Sequence, residues 1–318
     1  MNAGFRNRIR NLSFGLVLSL ALTVFLVSLG VVAGEKPASW TAQIAPFQIA
    51  DTLYYVGRED LASYLVVTSE GNILINANLE SSPAQIRASV EKLGFRWADT
   101  RILLNSQAHS DHMGGAAQII RETQAKNMVM DGDVHVVETG GRADFMARTA
   151  HVTYYPPTRI DRVLHDHDLV RLGNVELAAH KTPGHTRGCT TWTLRSHVPG
   201  DPANRLRDIV IVGGTSFWPE YRFVTKPGQP ESYAGIVDDF RRTFATLRGL
   251  PCDVFLGAHG EYFDLQAKLK RYAQDGPRVF IDPRGYASYV QDADEEFEKE
   301  FRKQRNSPLT LPSEERNQ

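Results

Sequence analysis

Residues 107–112 read Gln-Ala-His-Ser-Asp-His and place four side chains with metal-donor atoms in one short string. An apolar run, Arg101-Ile102-Leu103-Leu104, leads into it; Gly114-Gly115 and a helix-prone stretch over 116–121 follow. That pattern predicts a loop between a strand and a helix. In an extended segment alternate residues project to one side, so Gln107, His109 and Asp111 can converge, and a turn at His112 brings in a further donor. Two more units have the same form. The strand-like run 175–181 leads into Thr182-Pro183-Gly184-His185, and 252–256 leads into Gly257-Ala258-His259. The glycines permit tight turns and close backbone approach. Imidazole nitrogen and carboxylate oxygen are donors that zinc takes in hydrolytic sites, where one position stays open for water. Burying these groups together without a cation would be costly. The other six of the ten histidines, His135, His151, His165, His167, His180 and His197, have no such setting and read as ordinary surface or core residues.

The elements that must position these loops can be read around them. Residues 47–56, 63–67 and 72–75 are rich in β-branched and aromatic types and predict an antiparallel meander. Ile86, Val90 and Leu93 recur at helical spacing and predict an amphipathic helix over 84–93. Ile209-Val210-Ile211-Val212 predicts a strand ending at Gly213-Gly214, and 265–272 predicts a helix. Pro199, Gly200, Pro202 and Asn204 mark 195–208 as a surface loop. Strands in two batches with helices after them suit an α/β fold of four layers, αββα, with the sheets face to face.

The chain has 318 residues and a formal net charge of −1. That balance gives no electrostatic case for a nucleic-acid partner. Three segments are expected: 1–34, 35–291 and 292–318. Arg6, Arg8 and Arg10, then an apolar run over 12–32 and the small residues Ala33 and Gly34, predict a secretory signal. The alternative is an uncleaved anchor, since the run approaches the ~20 residues that span a bilayer. Either way the folded body is expected outside the cytoplasm, periplasmic or secreted. From Asp292 the chain is highly charged; Phe297 and Phe301 suit a terminal helix held to the body, with disorder expected beyond Asn306. Cys189 and Cys252 could bridge in an exported protein, but their places beside a metal motif and in a strand read as free buried thiols.

The string QAHSDHMGG at 107–115 resembles the H-x-H-x-D-H motif of the metallo-β-lactamase superfamily. TPGHTRGCTTW at 182–192 and LGAHGEYFDL at 256–265 resemble the second and third metal motifs of its true β-lactamases, those of the third zinc subclass in particular. The likeness runs from about Ala45 to Tyr289. It implies a first zinc held by Gln107, His109 and His185 and a second held by Asp111, His112 and His259, one or two ions per chain. Gln107 departs from the usual His, although some members of the subclass carry Gln there. An amide oxygen is a weaker zinc donor than imidazole, so the first site is expected to bind more weakly. Lactonases and glyoxalase-type members carry a metal-bridging Asp after a strand; Gly214 stands at that place here. The resemblance thus implies hydrolysis of the β-lactam amide by hydroxide generated on zinc, with Asp111 orienting the water, and hence antibiotic resistance. Thr215 and Ser216 read either as hydroxyls that hold the substrate carboxylate or as simple turn residues, with Phe217, Trp218 and Tyr221 as walls or core. The alternative is a related exported zinc hydrolase of another ester, lactone or amide. A monomer acting on a small molecule is expected, with no membrane contact except through an uncleaved N-terminal segment.

Overall fold

The computed structural model describes residues 36–307; the expected export signal and the chain beyond Ser307 lie outside them. The first sheet has seven strands in chain order: β1 (Phe47–Ala50), β2 (Leu53–Tyr55), β3 (Tyr64–Thr68), β4 (Gly71–Ile75), β5 (Thr100–Leu104), β6 (Lys126–Met130) and β7 (Arg162–Leu164). Neighbours are antiparallel as far as β4 and parallel from there on. Parallel neighbours need crossovers. These carry α1 (Pro83–Lys92), α2 (Ser110–Met113), α3 (Ala116–Thr123) and α4 (Val134–Glu138). The second sheet is built from β8 (Leu169–Leu172), β9 (Val175–Lys181), β10 (Thr190–Ser196), β11 (Arg207–Val212) and β12 (Val254–Gly257), in the order β12-β11-β10-β9-β8. Only β11 and β12 are parallel there, and α5 (Ile236–Gly249) connects them. Two helices follow, α6 (Leu265–Asp275) and α7 (Pro283–Asn306).

Both faces of the first sheet are covered, so its strands alternate between two apolar destinations. Tyr64, Val66, Ile73 and Ile75 join the core shared with the second sheet, whereas Leu65 and Leu74 meet Ile86, Val90, Ile119 and Ile120 of α1 and α3. The far face of the second sheet is closed by Phe240, Phe244 and Leu247 of α5, at helical spacing, and by α7. The expected four layers are present. The 195–208 segment is shorter as a loop than its composition suggests. Arg195 and Ser196 pair with Asp208 and Arg207 as the ends of β10 and β11.

The terminal helix also starts earlier than expected. Asp282 accepts from the Gly285 amide and Pro283 opens the helix, both favourable at an N-terminus. The boundary expected at 291/292 therefore falls inside one continuous helix, and Phe297 is fully buried among Phe223, Phe240 and Phe244. Both cysteines are free thiols, Cys189 buried and Cys252 partly so. Among the described residues no helix is long and apolar enough to cross a membrane.

Candidate metal centre

The loop after β5 is braced from three sides before it presents any ligand. The Ser106 amide donates to Asn76 Oδ1 at 2.8 Å, and the Ser106 carbonyl accepts from the Thr190 amide at 2.8 Å. The indole of Trp192, buried between the sheets, donates to the Asn105 carbonyl at 2.9 Å. Asp111 and His112 then lie in the single turn of α2. His185 follows β9 across Gly184, whose φ of +131° and contact with Phe240 (an added Cβ would come within 2.7 Å of the ring) leave no room for another residue. His259 follows β12 directly. Gln107, His109, Asp111, His112, His185 and His259 are all buried.

These side chains meet in two groups. Asp111 Oδ2 lies 3.3 Å from His112 Nε2 and 3.4 Å from His259 Nε2, and the two imidazole nitrogens are 3.2 Å apart. His109 Nδ1 and His185 Nε2 are 3.1 Å apart. Donors at about 2.0–2.1 Å from a tetrahedral zinc stand about 3.3 Å from one another, so the observed separations are those of atoms sharing one ion. Gln107 Oε1 is buried with no hydrogen-bond partner. A carbonyl oxygen left so is costly, and a donor that awaits a cation would be left in this state. The chain's residues therefore fit zinc. Asp111, His112 and His259 have the spacing to share one ion, and His109 and His185 that to share another.

The side chains of the two groups differ in charge state. Burial would raise the Asp111 carboxyl, but His112 and His259 outweigh it and hold it well below the usual carboxylate range. Burial, helped by His109, lowers His185 to about 3, so its ring is neutral and offers a lone pair at pH 7. Burial also tends to lower His259, but hydrogen bonds to Asp111 and Asp60 prevail and raise it to about 10, so at pH 7 its Nε2 carries a proton that a bound cation would displace. Asp144 Oδ2 stands 3.4 Å behind His109 Nε2, a charge contact longer than a hydrogen bond. The His185 Nδ1 donates to the Ser216 carbonyl at 2.8 Å.

Asp133 holds the loop that follows His185. It accepts from Thr186 Oγ1 and from the Gly188 amide, each at 2.8 Å. Burial pushes its carboxyl up to about 6. An unfolded Asp has a pKa of about 3.9, so between these values the folded chain keeps a proton that the unfolded chain has released. Stability from this group is greatest below about pH 4 and falls as pH rises to 6, by about 3 kcal/mol overall and about 1 kcal/mol between pH 5 and 7. Asp133→Asn cannot ionise. Urea unfolding in chelator should find the variant gaining on the wild type by about 1 kcal/mol from pH 5 to pH 7; a constant difference would show that Asp133 does not titrate there.

A cavity of about 270 Å³ opens onto the metal-facing groups, lined by His109, Asp111, Trp40, Lys36, His151 and Trp218 among others. Trp218 lies between two histidines, its ring 5.0 Å from His109 and stacked on His151 at 4.8 Å. His151 is an exposed residue, as its isolation in sequence suggests, and its ring stands on the wall of this cavity. The other five histidines of that group stand outside this lining. Phe217 packs on Phe223 and Phe240 and belongs to the core, while the buried Tyr221 hydroxyl donates to the His185 carbonyl at 2.6 Å. Thr215 is turned inward, its hydroxyl 2.7 Å from the Tyr289 hydroxyl. Ser216 is the exposed member of that pair. An added Cβ at Gly214 would lie 3.3 Å from the His185 ring, so a side chain there would run toward the site. Sequence reading passed over Asp60, Asp133 and Asp144, single carboxylates with no local pattern, and Trp40.

The comparisons agree with this geometry. Residues 57–259 match the family model described as the metallo-beta-lactamase superfamily. Native FEZ-1 metallo-beta-lactamase from Legionella gormanii is 42% identical, with 86% of this chain and 100% of that one covered at a TM-score of 0.80. BJP-1, a subclass B3 metallo-beta-lactamase of Bradyrhizobium japonicum, is 35% identical over 84% of this chain and 97% of that one, with a TM-score of 0.76. The metallo-beta-lactamase GOB-18 from Elizabethkingia meningoseptica is 34% identical over 85% and 96%, with a TM-score of 0.78. A probable metallo-hydrolase of Burkholderia pseudomallei is 30% identical over 142 residues, and the match spans only 45% of that relative's length. With two facing sheets, metal-donor loops gathered at one rim and a family match over most of the folded body, the chain belongs to the metallo-beta-lactamase superfamily.

Proposed function

We propose that this protein is a zinc-dependent β-lactamase of the third subclass, with Gln107 in place of the first-motif histidine. The single observation that carries the reading is the Asp111–His112–His259 cluster, whose donor atoms lie within 4.8 Å of one another. It completes a second metal site without the bridging Asp that Gly214 cannot supply. The similarity to subclass B3 enzymes along nearly their whole length supports the substrate class.

Zinc, when bound, acidifies a coordinated water to a pKa near ~7 and acts as a Lewis acid toward a carbonyl. The chain's own residues do the rest. Asp111 is a carboxylate at neutral pH, so at the cavity floor it accepts a hydrogen bond from water, aims it at the amide carbon and takes up its proton. One water is added, the C–N bond of the ring breaks, and the proton ends on the departing nitrogen. His109 and His185 stay fixed under Trp218, which with Trp40 walls the cavity from bulk water. Ser216, exposed at the rim, offers its hydroxyl to the substrate carboxylate; Thr215 supports that loop through Tyr289. Export by the N-terminal signal belongs to the same proposal, as does action as a monomer.

Purified protein with added zinc should hydrolyse a carbapenem and leave an acyl-homoserine lactone intact, with turnover following measured zinc content. Lactone cleavage in place of carbapenem cleavage would move the assignment to a related hydrolase. Bound zinc with neither reaction would remove the enzymatic reading.

A further inference from the structure

Of the four imidazoles at the metal centre, His259 alone has a carboxylate at ordinary hydrogen-bond distance on the nitrogen turned away from its partners. Its Nδ1 lies 2.8 Å from Asp60 Oδ2. The outward nitrogen of His185 meets a backbone carbonyl, that of His109 only the more distant Asp144, and that of His112 has no partner. Asp60 comes from the β2–β3 connection, 199 residues earlier in the chain. It grips the third motif at several points. Its other oxygen accepts from the Glu261 amide at 3.0 Å, and its backbone carbonyl accepts from the Gly260 amide at 2.6 Å. Its neighbours continue the clamp: Leu61 bridges to His259, and the Ala62 amide donates to the Ala258 carbonyl at 3.0 Å.

We propose that Asp60 is a positioning residue for the second metal, fixing the tautomer, rotation and donor strength of His259. With a carboxylate as acceptor, Nδ1 must carry the hydrogen. When a cation displaces the other ring proton, the lone pair belongs to Nε2, the atom that faces Asp111 and His112. A buried anion behind the ring also makes the lone pair a stronger donor, and partners of this kind are typically worth 10–100-fold in metal affinity. Asp60 and Asp111 bring two negative charges to the second site. The first has one, Asp144, standing off His109 at 3.4 Å, so Asp60 widens the affinity gap that Gln107 opens. The inference rests on the reading of His259 as a ligand, and the experiment separates the two.

The variants are Asp60→Ala, Asp60→Asn and His259→Ala, each in the full chain. Zinc affinity is read by competition with a chromophoric chelator, and the cobalt-substituted proteins by their visible absorption spectra. Asp60→Ala should weaken second-site metal by roughly 10–100-fold and change the cobalt bands, with first-site affinity unchanged. Asp60→Asn keeps an acceptor for Nδ1 but loses the charge, so it should fall between Ala and wild type. If His259→Ala loses the metal while both Asp60 variants bind and absorb as wild type, the proposal is overturned. Equal weakening of both sites, or loss of fold in both Asp60 variants by circular dichroism, would make Asp60 a prop of the fold and overturn it too. Should His259→Ala itself retain second-site metal, the ligand assignment fails instead. If only Asp60→Ala unfolds, Asp60→Asn decides.

Discussion

Asp111→Ala should lose second-site zinc and depress β-lactam turnover by on the order of 10³-fold or more. Two effects combine. The variant removes the only carboxylate among the six metal-facing donors, leaving His112 and His259 to hold a dication with neutral nitrogens. It also removes the acceptor for the proton of the attacking water, and a positioned general base contributes about 10²–10⁴-fold by itself. Asp111→Asn separates the two contributions, since the amide oxygen still faces the ion but cannot take a proton. Metal content and kcat measured side by side should show Asn retaining more zinc than Ala, with both nearly inactive. Normal turnover in Asp111→Ala would remove this residue from the chemistry and the cluster from the active site.

Gln107→His should tighten zinc at the first site by about tenfold or more, because imidazole is a better zinc donor than an amide oxygen. In the wild type, a chelator titration should strip the ions in two steps, with the His109–His185 site emptied first. In the variant the steps should draw together. Gln107 Oε1 is buried and has no hydrogen-bond partner, so it is free to serve as a donor. Release of both ions from the wild type at one chelator concentration would count against the asymmetry. Unchanged first-site affinity in Gln107→His would show that residue 107 does not reach the ion.

The candidate donors were legible because their chemistry is written in short strings. Gln107, His109, Asp111 and His112 fall within six positions, and His185 and His259 each follow a strand and a glycine. The supporting carboxylates were not. Asp60 acquires meaning only through a partner 199 residues away, and Asp133 through Thr186 and Gly188. No local spacing encodes such pairs. The meander, α1 and the strands at 101–104, 175–181 and 209–212 follow from apolar runs and their period. Strands β6 and β10 do not stand out, since Lys126, Asn127 and a run of threonines interrupt the apolar pattern that marks their neighbours. Thr215 and Ser216 are adjacent in sequence, but only the fold decides that one is buried with its hydroxyl at Tyr289 and the other exposed with its hydroxyl 3.4 Å from His185 Nδ1.

The donors come from both sheets: the loop after β5 belongs to the first, and those after β9 and β12 to the second. Only a chain with its two halves already closed can present them together, so an ion held by donors from both sheets would act as a rivet across the seam. A ligand bound solely by the native form adds about 1.4 kcal/mol for every tenfold excess over its dissociation constant. Where zinc is scarce, the molecule would forfeit endurance against heat and proteases along with its activity.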